Sequence, residues 1–404
     1  MRGTSISLMT FAAMLAAGCS QSVPPMQSAM ARGQPVYTGS VARPDLASLP
    51  KPEAKGEVIG TGQVRVAMLL PMSAPGNAGA IAAEYRNAAQ LAMKDYGFDT
   101  LQLVVKDTQG SPGEAQGVAH EAVDERADIV LGPLFSTSVS AAAGALLPAG
   151  KTMIAFSSDR NVAAPGIYLL SFLPGEVVDR TTAYAISLGH SAVAAIVPQG
   201  NYGAVVEKQL RQTLLVHGGT LTGVARYSYD DASVAAAVEE IAPAIKEATA
   251  IYVPDGGATP KALVGALRRA GVDLSGKVFL GTGQWTSADL SDPAFKGALY
   301  ADLDQSGFGS FKERYKQAYG KAPTLNAGIG YDAVALVAGI VKQRGAGGLN
   351  QAALESPTGF IGTTGVFRFN RDGTTDRALA VYRVGESGTE IASPAPKRFG
   401  FRGS

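Results

Sequence analysis

The side chains of this 404-residue chain that are best placed for chemistry are hydroxyls that follow short apolar runs. Ser136, Thr137 and Ser138 come just after the run over 128–131 and open a helical pattern over 137–147. The first backbone N–H groups of a helix lack intrahelical partners and its dipole favours negative charge, so hydroxyls gathered there suit an anion, most naturally a carboxylate. The plainer use of such residues is helix capping, worth ~1 kcal/mol, and one of the three is expected to serve that way. Ser157 and Ser158 follow the run over 152–156 and offer further donors, or simply turn chemistry. Ser73 stands in the same position after 64–70. Asp255, after Ile251-Tyr252-Val253-Pro254, is the acid best placed to meet an ammonium. Trp285, the only tryptophan, follows Gly281-Thr282-Gly283-Gln284 and either walls a pocket or packs in a core, the commoner fate of that residue.

These are groups for binding, and the groups for catalysis are missing. One cysteine and three histidines leave no framework for a zinc site or a disulfide network. His120, His190 and His217 fall on helix faces or ends, away from the strand exits where a general base is needed, so a Ser–His pair is not expected. Gly281-Thr282-Gly283 lacks the third glycine of a dinucleotide loop. The reading is therefore no enzyme, no cofactor and no metal. Lys and Arg number 35 against 34 Asp and Glu, with no basic run, so a nucleic-acid partner is not expected. With 46% hydrophobic and 17% charged residues the bulk is globular, and its length allows two or three domains.

The elements that must carry these residues alternate. Strand patterns over 64–70, 101–106, 128–131 and 152–156 are separated by helical spacing over 78–96, 113–126 and 137–147. After a change of register at 168–174 the couplets resume, with helices over 176–188, 204–217, 233–247 and 260–270 and strands over 193–197, 220–227, 250–253 and 277–280. The continuous apolar strands read as buried on both faces, as parallel strands are. The pattern predicts an α/β protein of two doubly wound parallel-sheet lobes with helices on both faces. A helix over 328–343 and a closing pair of strands, 365–370 and 378–384, around Arg371-Asp372-Gly373 end the fold, and the tail after Ala392 is placed outside it.

The N-terminus reads as an address. Arg2, an apolar stretch over 6–17 and small residues before Cys19 follow the order of a secretory signal, and twelve apolar residues are too few to span a bilayer. Leu15-Ala16-Ala17-Gly18-Cys19 resembles a bacterial lipobox, with its leucine one place further out than usual. The resemblance implies cleavage after residue 18 and a lipid on Cys19, which would hold the chain on a membrane. From Ser20 to about Gly62 the Pro, Ser, Gly and Gln composition predicts a disordered tether.

The ordered set Val66-Ala67-Met68-Leu69-Leu70-Pro71-Met72-Ser73, Leu131-Gly132-Pro133-Leu134-Phe135-Ser136-Thr137-Ser138, Ala155-Phe156-Ser157-Ser158-Asp159 and Asn201-Tyr202-Gly203 resembles the type I periplasmic binding proteins, the leucine/isoleucine/valine-binding branch most of all. The resemblance spans 64 to about 385. It implies two lobes joined by three crossings, near 168–174, 299–304 and 355–362, that close on a small ligand by hinge bending. Lobe one would be 63–170 plus 305–355 and lobe two 171–304 plus 356–392, with 393–404 a tail. It also implies that Tyr202 covers the ligand. The chain departs from the amino-acid binders after Gly256-Gly257, where Ala258-Thr259-Pro260-Lys261 replaces an acid; a cleft-facing Lys261 would repel an ammonium and suit a second anion. Two functions are compatible with this resemblance. One is a periplasmic solute-binding lipoprotein that hands a small carboxylate, such as an amino acid, to an ABC permease. The other is a lipid-anchored protein, similar to the activators of penicillin-binding proteins, that contacts a peptidoglycan synthase. The long tether and Lys261 favour the second reading, and fold alone does not choose between them.

Overall fold

The computed structural model describes residues 50–304 and 306–400. The leader, Cys19 and the stretch up to residue 49 lie outside the described residues. The first lobe begins with β1 (Glu57–Ile59), β2 (Val64–Leu70), α1 (Asn77–Ala92), β3 (Leu101–Asp107), α2 (Pro112–Asp124), β4 (Ile129–Leu131), α3 (Ser136–Leu146), β5 (Met153–Ala155) and β6 (Ile167–Leu169). Its six strands lie in the order β1-β3-β2-β4-β5-β6, all parallel except β1. Every residue of β2 is buried, which is why Val-Arg-Val-Ala-Met-Leu-Leu carries no polar alternation and why helices must cover both faces.

The second lobe continues with α4 (Pro174–Ser187), β7 (Ala192–Pro198), α5 (Asn201–His217), β8 (Thr220–Tyr227), α6 (Asp231–Glu247), β9 (Ala250–Tyr252), α7 (Thr259–Arg269), β10 (Val278–Gly281) and β11 (Leu299–Leu303). The chain then returns to the first lobe as α8 (Ser306–Tyr319), α9 (Leu325–Arg344), α10 (Gln351–Leu354), β12 (Phe360–Gly362), β13 (Gly365–Phe369) and β14 (Thr375–Arg377). It ends in the second sheet as β15 (Leu379–Val384) and β16 (Thr389–Ser393), and that sheet runs β16-β15-β11-β10-β9-β7-β8. The parallel parts of the two sheets, β3-β2-β4-β5-β6 and β8-β7-β9-β10-β11, repeat one strand order. In both, the first strand formed sits between the second and the third, so the winding reverses direction beside it.

Helix α9 has the length and apolarity of a membrane span, yet it packs on α1 and is 72% buried over its most apolar window. Leu336, Val337, Ile340 and Val341 join Tyr85, Phe311 and Tyr315 in the larger core, and each such apolar side chain contributes ~1.5–3 kcal/mol by leaving water.

Four expectations change. Residues 51–59, predicted as tether, are fastened to the first lobe. Strand β1 pairs with β3, Lys51 is ion-paired with Asp128, and the Lys106 Nζ and Arg65 Nη1 donate to the carbonyls of Lys55 and Pro52 at 2.7 Å each. Backbone bonds at a sheet edge, which composition does not reveal, hold this Pro- and Lys-rich segment. The strands predicted to pair around Arg371-Asp372-Gly373 do not: β13 pairs with β12 and β14, whereas β15 pairs with β11 and β16. The third crossing therefore lies at Ala378 and not within 355–362, because Phe367 and Phe369 belong to the core of the first lobe. The tail is not free either, since the Phe399 N–H donates to the Thr358 carbonyl at 3.3 Å and the Phe399 ring lies 4.5 Å from the Arg368 guanidinium carbon.

Candidate ligand-binding cleft

Each sheet places its switch-point loops at the carboxyl ends of the strands, where the crevice of a doubly wound fold opens. In the first lobe these loops follow β2 and β4 and carry Ser73 and Ser136 to Ser138; in the second they follow β7 and β9 and carry Tyr202 and Asp255. The β5 exit, with Ser157 and Ser158, lies next to β4, and the Phe156 N–H donates to the Pro133 carbonyl at 2.9 Å. The candidates chosen for following apolar runs thus gather at one end of each sheet.

Their individual settings differ. Ser136, half-buried, is the first residue of α3 and Thr137 is exposed; no side chain caps this helix, whose Ncap residue is Phe135. Capping by one of the three hydroxyls, expected from the sequence, is absent here. Ser138 is fully buried and its Oγ has no hydrogen-bond partner. Gly132 brings the loop before α3 against β2: its φ is +80°, and a Cβ there would meet the Leu69 carbonyl oxygen at 2.2 Å. Ser157 is buried and its Oγ accepts from the Asp159 N–H at 3.2 Å, while Ser158 is exposed. The Ser73 N–H donates to the Asp107 carboxylate at 3.3 Å.

Across the gap, Tyr202 in the first turn of α5 is half-buried and its hydroxyl lies 3.5 Å from the Pro254 carbonyl. Asp255 is 5% exposed and accepts from the Tyr227 hydroxyl and, at 3.0 Å, from the Tyr229 hydroxyl. Burial, and then the bond to the Asp255 carboxylate, hold the Tyr227 phenol far above its usual range, so it is the donor. Asp255 therefore has two phenols on it already. Trp285 is core: it is 1% exposed, its Nε1 donates to the Val253 and Asp255 carbonyls at 3.0 Å, and its ring packs on Phe295 and Tyr300.

Lys261 does not stand free over the cleft. Its Nζ is 2.6 Å from Asp289 and 3.2 Å from the Ser291 hydroxyl, beside an open groove between α6 and α7. Lys261, paired in this way, gives no ground for excluding an ammonium. Lys261→Ala should change solute affinity less than about twofold, since an exposed pair of this kind contributes ~0–1 kcal/mol; isothermal titration of the variant checks it.

Residues that the sequence reading did not single out line the cavity of about 420 Å³ on the hinge side of the cleft. Tyr202, Thr282, Gln284 and Asp302 form the second lobe's side, Phe172 lies where the chain first crosses, Leu325 opens α9 on the first lobe's side, and Glu176 and Arg377 also line the wall. Of the predicted residues only Tyr202 reaches this cavity, whose volume suits a small organic ligand. A polar residue after an apolar run flags a strand exit, whereas Glu176 in a first helical turn and Arg377 in a three-residue strand carry no comparable mark.

Residues 63–389 match the sequence pattern of the family described as periplasmic binding protein. No curated protein matches the chain in sequence. Among solved structures, a protein of a branched-chain amino acid ABC transporter from Rhodospirillum rubrum is similar with a TM-score of 0.70 and 22% identity, over 81% of this chain and 99% of that one. A solute-binding protein from Rhodopseudomonas palustris in complex with 3,4-dihydroxybenzoic acid is similar with a TM-score of 0.55 and 18% identity, over 82% and 98%. The branched-chain amino acid binding protein LivJ of Streptococcus pneumoniae, in complex with isoleucine, gives 0.54 and 19%, over 82% and 99%.

Proposed function

The chain belongs to the periplasmic binding protein family, and from that premise we propose that it is an extracytoplasmic solute-binding protein that takes a small carboxylate between its lobes and serves an ABC permease. The observation that carries this reading is the repeated strand order. It brings the loops after β2 and β4 and those after β7 and β9 to the carboxyl ends of their sheets, and a ligand-sized cavity is lined by Tyr202 after β7 and by Thr282 and Gln284 after β10. The uncapped N-terminus of α3, with Ser136, Thr137 and the unpartnered Oγ of Ser138, supplies free N–H groups and hydroxyls for an anionic group. Tyr202 supplies an aromatic face from the other lobe. The proteins of similar structure bind an aromatic acid in one case and isoleucine in another, which supports a carboxylate as the shared feature of the solute. The leader and Cys19 support a lipid anchor that keeps the protein at a membrane outside the cytoplasm.

The test is a thermal panel of amino acids and aromatic or aliphatic carboxylates on the purified protein. A solute at one hundred times its dissociation constant should add ~2.7 kcal/mol to the unfolding free energy and raise the transition temperature accordingly. No shift with any solute, together with co-purification of a peptidoglycan synthase, would replace this reading with that of a lipid-anchored synthase activator.

A further inference from the structure

Arg377 ties two of the three crossings together. It ends β14, one residue before the chain passes to β15, and its Nε donates to the carbonyl of Ser171, in the first crossing, at 2.9 Å. Its Nη1 donates to the Thr364 hydroxyl at 3.1 Å, and the Phe172 ring lies 4.6 Å from its guanidinium carbon. Its Nη2 is buried without any partner. An always-charged guanidinium with an idle donor is an expensive thing to enclose, and among the described residues no carboxylate lies within ion-pair distance of it. The acids that act on it are Glu176 and Asp332, with Tyr85 beyond them. Asp332 has both oxygens engaged by Thr363 and Thr364.

Glu176, in the first turn of α4, faces Arg377, Asp376 and Arg160, and its Oε1 is likewise buried and unpartnered. Burial, against the pull of Arg377, pushes its carboxyl up to about 8, so at neutral pH it is largely a neutral acid with a proton to donate. Both residues belong to the wall of the 420 Å³ cavity, whose body is apolar through Phe172, Leu173, Val177, Leu325 and Leu379. Asp302, the other acid in this wall, already accepts from the Thr286 hydroxyl and the Leu303 N–H.

We propose that Arg377 and Glu176 form a carboxylate subsite at the hinge end of the cleft, separate from the amides of α3, for a solute whose apolar body fills this cavity. The inference rests on the solute-binding reading and moves the carboxylate of such a solute from the N-terminus of α3 to this end of the cleft. Both idle atoms are buried and belong to residues that line this cavity, on elements next to the crossings, so the carboxylate reaches them as the lobes bend. Arg377 Nη2 donates one hydrogen bond and the neutral Glu176 carboxyl a second, and the buried cation gains a counter-charge. An occupant held there touches residues of the first and third crossings and so acts directly on the angle between the lobes.

The experiment titrates benzoate, 4-methylpentanoate and its amino counterpart leucine into the wild-type protein, Arg377→Met, Arg377→Lys and Ser136→Ala/Ser138→Ala, with the fold of each followed by circular dichroism. Loss of at least about tenfold in affinity is expected in Arg377→Met, with partial recovery in Arg377→Lys. The wild-type protein supplies a measure that needs no variant at Arg377: carboxylate affinity should hold steady up to neutral pH and fall above about pH 8, as Glu176 ionises beside the bound anion, and Glu176→Gln should remove that fall. A solute that binds with a flat profile from pH 6 to 9, or one lost on substitution at Ser136 and Ser138 while indifferent to Arg377, overturns the subsite and leaves solute binding standing. If none of the three compounds binds the wild-type protein, solute binding of this class fails and the subsite fails with it.

Discussion

Trp285→Ala is expected to lower the unfolding free energy by ~4 kcal/mol, the cost of a large cavity left by an aromatic ring. The indole is held from several sides. Phe295 and Tyr300 pack on it with ring centroids 5.5 and 6.2 Å away, and its Nε1 satisfies two carbonyls in the loop after β9. Gly281 is part of the same arrangement, since a Cβ there would lie 2.2 Å from the indole ring and only glycine lets β10 pass beneath it. Removing the ring empties that space and leaves the Val253 and Asp255 carbonyls without a donor, which adds to the loss. Trp285→Phe retains most of the apolar area and should cost ~1–2 kcal/mol, chiefly the two hydrogen bonds. Urea denaturation followed by circular dichroism measures both. Because Gln284 and Thr286 line the hinge-side cavity and Trp285 does not, the phenylalanine variant should bind solute within about threefold of the wild type. A phenylalanine variant of normal stability that has lost its solute would return Trp285 to the wall of the pocket.

The elements most legible in the sequence are those whose identity is decided locally. The apolar run over 64–70 is stopped by Pro71, and it and the pattern over 220–227 are β2 and β8 with those bounds. Strand β11 falls where the resemblance implies a crossing, at 299–304; Leu-Tyr-Ala-Asp-Leu is a strand because β10 lies parallel to it and β15 antiparallel on its other side. Helix α8 begins Ser-Gly-Phe-Gly-Ser, a poor helical start, but Phe308, Phe311 and Tyr315 lie at helical spacing on its buried face and could have revealed it. The strand exits of the first lobe were found for a sound reason, since hydroxyls follow where buried strands end. What sequence could not show is which polar side chains stay idle. Ser171, Glu176, Leu325 and Arg377 come together only because the chain crosses three times between the lobes, and the approach of residues about 200 positions apart leaves no periodicity to read.

Asp332→Ala should destabilise the protein by ~3–5 kcal/mol, comparable to stripping one partner from a buried charged network. Asp332 sits in α9 at 2% exposure and takes four hydrogen bonds from the turn between β12 and β13: the Thr363 N–H at 2.6 Å and hydroxyl at 2.9 Å, and the Thr364 N–H at 2.9 Å and hydroxyl at 2.5 Å. Burial drives its pKa upward although all four bonds favour the ionised form, so the site is costly to dehydrate and depends on every donor. Truncation leaves those donors unmet in a place water does not reach freely. The effect should extend to the hinge, because the Thr364 hydroxyl that donates to Asp332 also accepts from Arg377 Nη1 at 3.1 Å, and a displaced Thr364 releases a second arm of that guanidinium. Asp332→Asn keeps the volume and one acceptor oxygen but turns an amide NH₂ toward donors, so a loss of ~2–3 kcal/mol is expected there. Urea denaturation gives the global values, and amide exchange over β12, β13 and β14 should accelerate in both variants while that of β7 to β9 does not. If the asparagine substitution costs no more than an ordinary surface change, within ~0.5 kcal/mol, then α9 holds the hairpin by apolar packing alone and Arg377 owes nothing to Asp332.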